Sequence, residues 1–128
     1  MKANITHVAL YARDMEKSRD YYTKYFGGIS NEKYQNTKGF SSYFITFDSG
    51  ARLEIMNHLE QEEQPVKDKV TGLSHLAFTV GSKGAVMQLT EQIINAGYKM
   101  YSPPRMTGDG YFESCVSDPD GNRIEISE

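Results

Sequence analysis

The chain contains an internal duplication, and this repeat limits the folds that are open to it. His7 lies in the segment ITHVAL, and His75 lies 68 residues later in the similar segment LSHLAF. Glu54 lies in GARLEI, and Glu125 lies 71 residues later in GNRIEI. A repeat of this kind indicates two similar supersecondary units that pack as one structure. We expect a single domain over residues 1–128, with module one over 1–57, a linker over 58–72 and module two over 73–128.

The composition of the chain argues against several classes of function. The net charge of −3 comes without a block of basic residues, so we expect no nucleic-acid partner. No apolar run reaches the roughly 20 residues that a membrane-spanning helix needs, and the N-terminus lacks a secretion-signal pattern. Cys115 is the single cysteine, which excludes an internal disulfide. We therefore expect a cytoplasmic protein that does not bind membranes.

Each module is predicted to follow the order β-α-β-β-β. Asp14 and Ser82 are the expected N-caps of the two helices, and Gly27 and Gly97 are expected to end them. Residues 118–121, with the sequence DPDG, predict a turn because Pro presets one φ angle and Gly accepts a positive one. The predicted helices are 15–26 and 83–95, and the predicted strands are 4–11, 30–36, 40–48, 50–57, 73–80, 98–102, 111–117 and 122–127.

The duplicated histidines and glutamates are predicted to lie on the polar faces of their strands. Each has branched or apolar neighbours in sequence, and successive side chains of a strand face opposite sides. A lone strand histidine is more often a hydrogen-bonded surface residue than a ligand, but the coincidence in both copies favours a metal site. Two imidazoles and two carboxylates suit divalent ions such as Ni²⁺, Zn²⁺, Co²⁺, Fe²⁺ or Mn²⁺. An octahedral ion with four protein ligands keeps positions open for a substrate that bears adjacent oxygens.

Five motifs resemble those of the vicinal-oxygen-chelate superfamily, whose members are built from paired βαβββ modules. They are THVAL at 6–10, SRDYYTKYFG at 18–27, RLE at 52–54, SHLAF at 74–78 and VSDPDGNRIE at 116–125. The resemblance covers essentially the whole chain. It implies an α+β fold in which two βαβββ modules form a curved mixed sheet with the helices outside.

Within that superfamily, Glu54 narrows the resemblance to glyoxalase I, the lactoylglutathione lyase. Dioxygenases and thiol transferases match at His7, His75 and Glu125 only, and bleomycin-binding members generally lack the metal residues. The resemblance implies a carbon–sulfur lyase that isomerises a methylglyoxal–thiol hemithioacetal to a lactoyl thioester. It implies that His7, Glu54, His75 and Glu125 hold a divalent metal, with Ni²⁺ or Zn²⁺ expected first, which stabilises an enediolate. Glu125 would remove the C1 proton, and Glu54 would serve the return step.

The resemblance also implies a homodimer, in which His7 and Glu54 of one chain face His75 and Glu125 of the other. Tyr11 stands where glutathione-dependent members carry a basic residue.

Thr107 lies near a second position at which glutathione-dependent members carry a basic residue. The basic residues close in sequence to Tyr11 and Thr107 are Arg13 and Arg105. A different thiol or chelating substrate therefore stays open. The alternatives are a non-catalytic protein of the same fold that binds a small molecule or antibiotic, and a metal-dependent dioxygenase or thiol transferase.

Overall fold

The computed structural model describes residues 1–65 and 68–128. Within these residues the chain forms two compact units, Met1–Gln64 and Pro65–Glu128. The linker predicted over 58–72 includes residues 66 and 67, which lie outside the described residues.

The first unit consists of one helix and a mixed five-stranded sheet. Its elements are β1 (His7–Tyr11), α1 (Met15–Phe26), β2 (Ile29–Ser30), β3 (Tyr34–Gln35), β4 (Phe40–Thr46) and β5 (Arg52–His58). The strand order is β1-β5-β4-β2, and β3 pairs with β4 beside this path. Strands β1 and β5 run parallel, whereas β4 is antiparallel to its neighbours. The strand predicted at 30–36 is thus two short strands.

The second unit repeats this plan with a four-stranded sheet. Its elements are β6 (His75–Thr79), α2 (Lys83–Asn95), β7 (Met100–Met106), β8 (Phe112–Ser117) and β9 (Arg123–Ser127). The strand order is β6-β9-β8-β7, with β6 and β9 parallel and the other pairs antiparallel. The two mixed sheets with their helices confirm the predicted α+β fold of two modules.

Both helices begin at the residues that the sequence predicts, because a side chain caps each one. The Asp14 carboxylate accepts a hydrogen bond from the Lys17 backbone N–H at 3.1 Å. The Ser82 hydroxyl accepts one from the Ala85 N–H, also at 3.1 Å. Helix α1 ends at Gly27, whose φ of 67° lies in the left-handed region that favours glycine.

Each helix packs on one face of its own sheet, and the aliphatic residues of the strands lie beneath it. Helix α1 contacts β4 and β5, and α2 contacts β7, β8 and β9. The buried aliphatic residues include Ile45, Leu53 and Ile55 in the first unit, and Val86, Ile93, Val116, Ile124 and Ile126 in the second. Strand alternation therefore turns Glu54 and Glu125 to the face opposite the helices, as predicted.

Strand β7 is longer than the sequence predicts, because it continues through two prolines. The predicted strand ends at residue 102, whereas the observed one runs to Met106 and includes Pro103 and Pro104. Proline cannot donate to a strand ladder, so it is tolerated at a sheet edge and at bulges. β7 is the edge strand of its sheet, and its register with β8 shifts on both sides of Ser102. The prediction therefore ended this strand too early.

The predicted turn at 118–121 brings β8 back into β9. The Asp118 carboxylate accepts hydrogen bonds from the backbone N–H groups of Asp120 at 2.9 Å and Asn122 at 2.8 Å. Gly121 has a φ of 85°, which confirms the need for glycine at this position. In the described part of the chain, neither helix has the length and apolar character that crossing a membrane requires.

Candidate functional site

Each unit places one of the predicted histidines beside one of the predicted glutamates. In the first unit, Nε2 of His7 on β1 lies 3.7 Å from Oε1 of Glu54 on β5. In the second, Nε2 of His75 on β6 lies 3.3 Å from Oε2 of Glu125 on β9. Both histidine side chains are 40% exposed, whereas Glu54 is 14% and Glu125 is 26% exposed. We call these the first and the second His–Glu pair.

A hydroxyl group adjoins the second ring nitrogen of each histidine. The Thr6 hydroxyl lies 3.3 Å from Nδ1 of His7, and the Ser74 hydroxyl lies 3.0 Å from Nδ1 of His75. When Nδ1–H donates to this hydroxyl, Nε2 keeps its lone pair on the side of the glutamate. Such a contact at the other ring nitrogen is typical of histidines that bind metals.

The donor atoms of both pairs suit a divalent ion in chemistry, and those of the second pair also have the separation that a shared ion requires. Imidazole nitrogen together with carboxylate oxygen suits the borderline divalent metals. Two ligands on one ion, each bonded at about 2.1 Å, are roughly 3.0–3.4 Å apart at octahedral or tetrahedral angles. The second pair falls within that range at 3.3 Å, and the first is slightly wider at 3.7 Å.

Each pair alone supplies two ligands, fewer than a metal site normally has. In residues 1–65 and 68–128, no group of three or more His, Cys, Asp or Glu side chains is placed to hold a metal ion. The structure thus groups the four predicted ligands two by two, one pair in each unit.

An aromatic ring and an arginine flank the first pair. Phe44 lies directly across from Glu54 in the antiparallel β4–β5 pair, and therefore on the same face. Its ring meets the His7 ring edge to face, with centroids 5.4 Å apart. The guanidinium carbon of Arg52 lies 4.5 Å from the centre of the Phe44 ring. Neither Phe44 nor Arg52 was predicted to belong to the site.

Different residues occupy the equivalent positions around the second pair. Cys115 takes the place of Phe44, directly across from Glu125, and burial raises the pKa of its thiol. The Arg123 guanidinium stacks on the ring of Tyr101, with Cζ 4.1 Å from its centre, and also lies 3.5 Å from Asp68. The Tyr101 hydroxyl donates to the Gly121 carbonyl at 2.7 Å.

Glu113 is a site residue that sequence reasoning missed. It lies on β8, two residues before Cys115, and therefore shares a face with Glu125. A hydrogen bond between the two carboxyl groups, helped by burial and by the charge of Glu125, raises the pKa of Glu113 to about 7. The signal was available, because alternation along the predicted strand 111–117 puts Glu113 on the polar face.

The two positions expected to recognise the thiol, Tyr11 and Thr107, carry uncharged side chains. Tyr11 lies on β1 on the same face as His7 and is 53% exposed. Thr107 lies in the β7–β8 turn, where its hydroxyl accepts the Tyr111 N–H at 3.1 Å. Of the two nearby arginines, Arg13 pairs with Glu63, and Arg105 lies across from Glu113 on β8.

The chain resembles known proteins in sequence and in fold. The chain is 30% identical over 124 residues to the uncharacterized protein YqjT of Bacillus subtilis, which covers 94% of each chain. A glyoxylase/bleomycin resistance protein/dioxygenase domain from Frankia sp. EAN1pec superposes with a TM-score of 0.83 at 20% identity, over 99% of this chain and 98% of the other. Glyoxalase I from Zea mays gives a TM-score of 0.78 at 22% identity, over 97% of this chain and 44% of the maize chain.

Because these two solved structures are only 20% and 22% identical to the chain, they show that the fold is shared and do not show the function. The family model described as Glyoxalase/Bleomycin resistance protein/Dioxygenase superfamily matches residues 4–126, and the chain therefore belongs to this superfamily.

Proposed function

We propose that the protein is a metal-dependent lyase of the glyoxalase I type. Its substrate would be the hemithioacetal of methylglyoxal and a thiol, and its product a lactoyl thioester. The observation that carries the proposal is the repeated His–Glu pair, with Nε2–carboxylate separations of 3.7 and 3.3 Å. Glu54 is the decisive member, because a carboxylate there supplies the fourth ligand and a second proton carrier.

The four residues of the two pairs would hold the metal. Their donor atoms fit Ni²⁺ or Zn²⁺ first, with Co²⁺, Mn²⁺ and Fe²⁺ as further candidates. When bound, the ion would polarise the two adjacent oxygens of the substrate and acidify the neighbouring C–H bond.

The two glutamates would move the proton that the isomerisation requires. Glu125 would take the proton from C1 as general base, Glu54 would deliver a proton to C2, and exchange with solvent would then return Glu125 to the carboxylate and Glu54 to the acid. The hydroxyl proton passes from the C1 oxygen to the C2 oxygen, so that substrate and product have the same atoms. Glu125 is the more accessible of the two, at 26% exposure against 14% for Glu54, which suits the group that meets the C1 proton.

We further propose that a homodimer completes the site. A single ion with four protein ligands needs both pairs, and each unit supplies one of them. In a two-fold dimer, the first pair of one chain can face the second pair of the other, which creates two identical sites. The dimer and a location in the cytoplasm stay predictions.

Reconstitution tests the reaction. The protein is stripped with a chelator, reloaded separately with Ni²⁺ and Zn²⁺, and assayed for thioester formation from methylglyoxal with glutathione and several smaller thiols. We expect turnover with at least one thiol that disappears in the stripped protein. The absence of thioester with every thiol, in protein whose metal content is stoichiometric, would overturn the lyase proposal.

A non-catalytic binding protein of the same fold is the second candidate function. The observation in its favour is Tyr11, an exposed ring on the His7 face where a glutathione-binding cation was expected. Binding of metal and of small aromatic or chelating compounds, without turnover in the assay above, is the outcome that would select this candidate.

A further inference from the structure

The face that carries the first His–Glu pair also carries an arginine, Arg52. Arg52 and Glu54 lie two residues apart on β5 and so share a face. The Cα partner of Arg52 on the neighbouring strand β1 is His7. Arg52 is exposed and forms no ion pair with any residue in the described part of the chain. Arg52 is therefore a positively charged side chain that lies next to the candidate metal ligands and is not neutralised by a carboxylate of the described residues.

Phe44 holds the Arg52 guanidinium in place. The guanidinium carbon lies 4.5 Å from the centre of the Phe44 ring, and that ring in turn meets His7 edge to face at 5.4 Å. Stacking occupies the flat side of a guanidinium and leaves the N–H donors in its plane available. Arg52, Phe44 and His7 thus form a continuous row of side chains, with the free donors at one end.

The second copy of the repeat has an arginine at the position equivalent to Arg52, and its surroundings are different. Arg123 occupies the equivalent position two residues before Glu125, but it stacks on Tyr101 and lies 3.5 Å from Asp68. Its side chain is only 22% exposed, so its charge is engaged inside the unit. Arg13 is likewise neutralised by Glu63. Arg105 lies in the second unit, across from Glu113 on β8, and is not next to the first His–Glu pair.

We propose that Arg52 binds a carboxylate of the thiol portion of the substrate. This inference rests on the proposed lyase function. It assigns to Arg52 the task for which Tyr11 and Thr107 lack the chemistry. Arginine suits the task because its planar donors match the two oxygens of a carboxylate, and charge-assisted hydrogen bonds of this kind are the strong ones.

Direct binding tests the inference without requiring turnover. Calorimetric titration of the Zn²⁺-loaded protein would compare S-methylglutathione with its dimethyl ester, which lacks the carboxylate charges. We expect the unaltered protein to bind the acid about tenfold or more tightly than the ester. In Arg52→Met this preference should fall to about one, and Arg52→Lys, which keeps the charge but loses the planar donors, should retain part of it.

Arg13→Met is the matched control, since it removes an arginine of the same unit that is already paired with Glu63. It should keep the preference of the unaltered protein. The inference is overturned if Arg52→Met binds the acid as tightly as before, if Arg13→Met loses as much, or if the unaltered protein does not prefer the acid.

Turnover separates the two proposals. If the preference depends on Arg52 but no thiol yields thioester, the lyase function fails and the carboxylate contact stands. If thioester forms but the preference is insensitive to Arg52, the lyase function stands and the carboxylate contact fails.

Discussion

Glu113 and Glu125 lie on the same face of the antiparallel strands β8 and β9, and their carboxyl groups are within hydrogen-bonding reach when one of them is protonated. This contact, together with burial and the charge of Glu125, raises the pKa of Glu113 to about 7. The second His–Glu pair therefore has a third titratable group beside it, and the first pair has Ser42 at the equivalent place in its sheet. The two halves of the repeat are thus unlike in charge as well as in packing.

The metal-free protein should lose stability as the pH rises through neutrality. A carboxyl whose pKa is higher in the folded than in the unfolded state binds its proton more tightly when folded. The stabilisation is complete below the unfolded value near 4.5 and is lost as the pH rises through about 7. Urea unfolding of chelator-treated protein between pH 5 and pH 9 should show this fall, and Glu113→Gln should flatten it. Glu62→Gln, which removes an exposed carboxylate elsewhere, is the control, and an unchanged slope in Glu113→Gln would contradict the prediction.

The sequence was most informative where a local rule determines the structure. Asp14 and Ser82 cap the two helices, and both helices span the predicted residues. Gly27 is the C-cap of α1 as predicted, whereas the C-cap of α2 is Ala96 and Gly97 lies one residue beyond it. The faces of Glu54 and Glu125 followed from alternation, because a strand with one buried side permits a single register.

The parts that could not be predicted depend on contacts between strands. The extension of β7 through Pro103 and Pro104 depends on its place at the sheet edge, which no local pattern encodes. The stacking of Arg52 on Phe44 joins β4 and β5, and the raised pKa of Glu113 depends on Glu125 of β9. Arg52 was identified as part of a repeated motif, but its different surroundings from Arg123 became evident only in the folded sheets.

Gly28→Ala should destabilise the protein. A Cβ at position 28 would clash with Cγ2 of Ile45 and would lie 3.0 Å from the ring of Phe47. Ile45 is fully buried under α1 and cannot move aside without disturbing the core. We expect a loss of about 1–3 kcal/mol in the free energy of unfolding, measured by urea denaturation.

Gly108→Ala is the matched control for this substitution. A Cβ at position 108 meets nothing within 4 Å and requires no unusual backbone angle. The free energy of unfolding of this variant should therefore change little. Equal stability of the two variants would show that the packing around Ile45 is looser than the structure describes.

Glu125→Gln should affect turnover much more than it affects metal binding. The amide keeps an oxygen that can serve as a ligand but cannot accept the C1 proton, so kcat should fall by about 100-fold or more. Glu54→Gln leaves the proposed C1 base intact and should have the smaller effect. Steady-state kinetics with Zn²⁺-loaded variants of known metal content measures both. Unchanged turnover in Glu125→Gln would remove this residue from the role of base.

Mixing two inactive variants should restore activity if each metal site combines pairs from two chains. One variant lacks the first pair (His7→Ala with Glu54→Ala), and the other lacks the second (His75→Ala with Glu125→Ala). In a mixed dimer one site then combines both defects, whereas the other combines the intact second pair of one chain with the intact first pair of its partner. After equal amounts are exchanged to equilibrium, about a quarter of all sites should be intact, and metal content and turnover should recover to that level. Each variant carried alone through the same procedure is the control. No recovery, in a mixture where subunit exchange is demonstrated by mass, would show that each site is built within one chain.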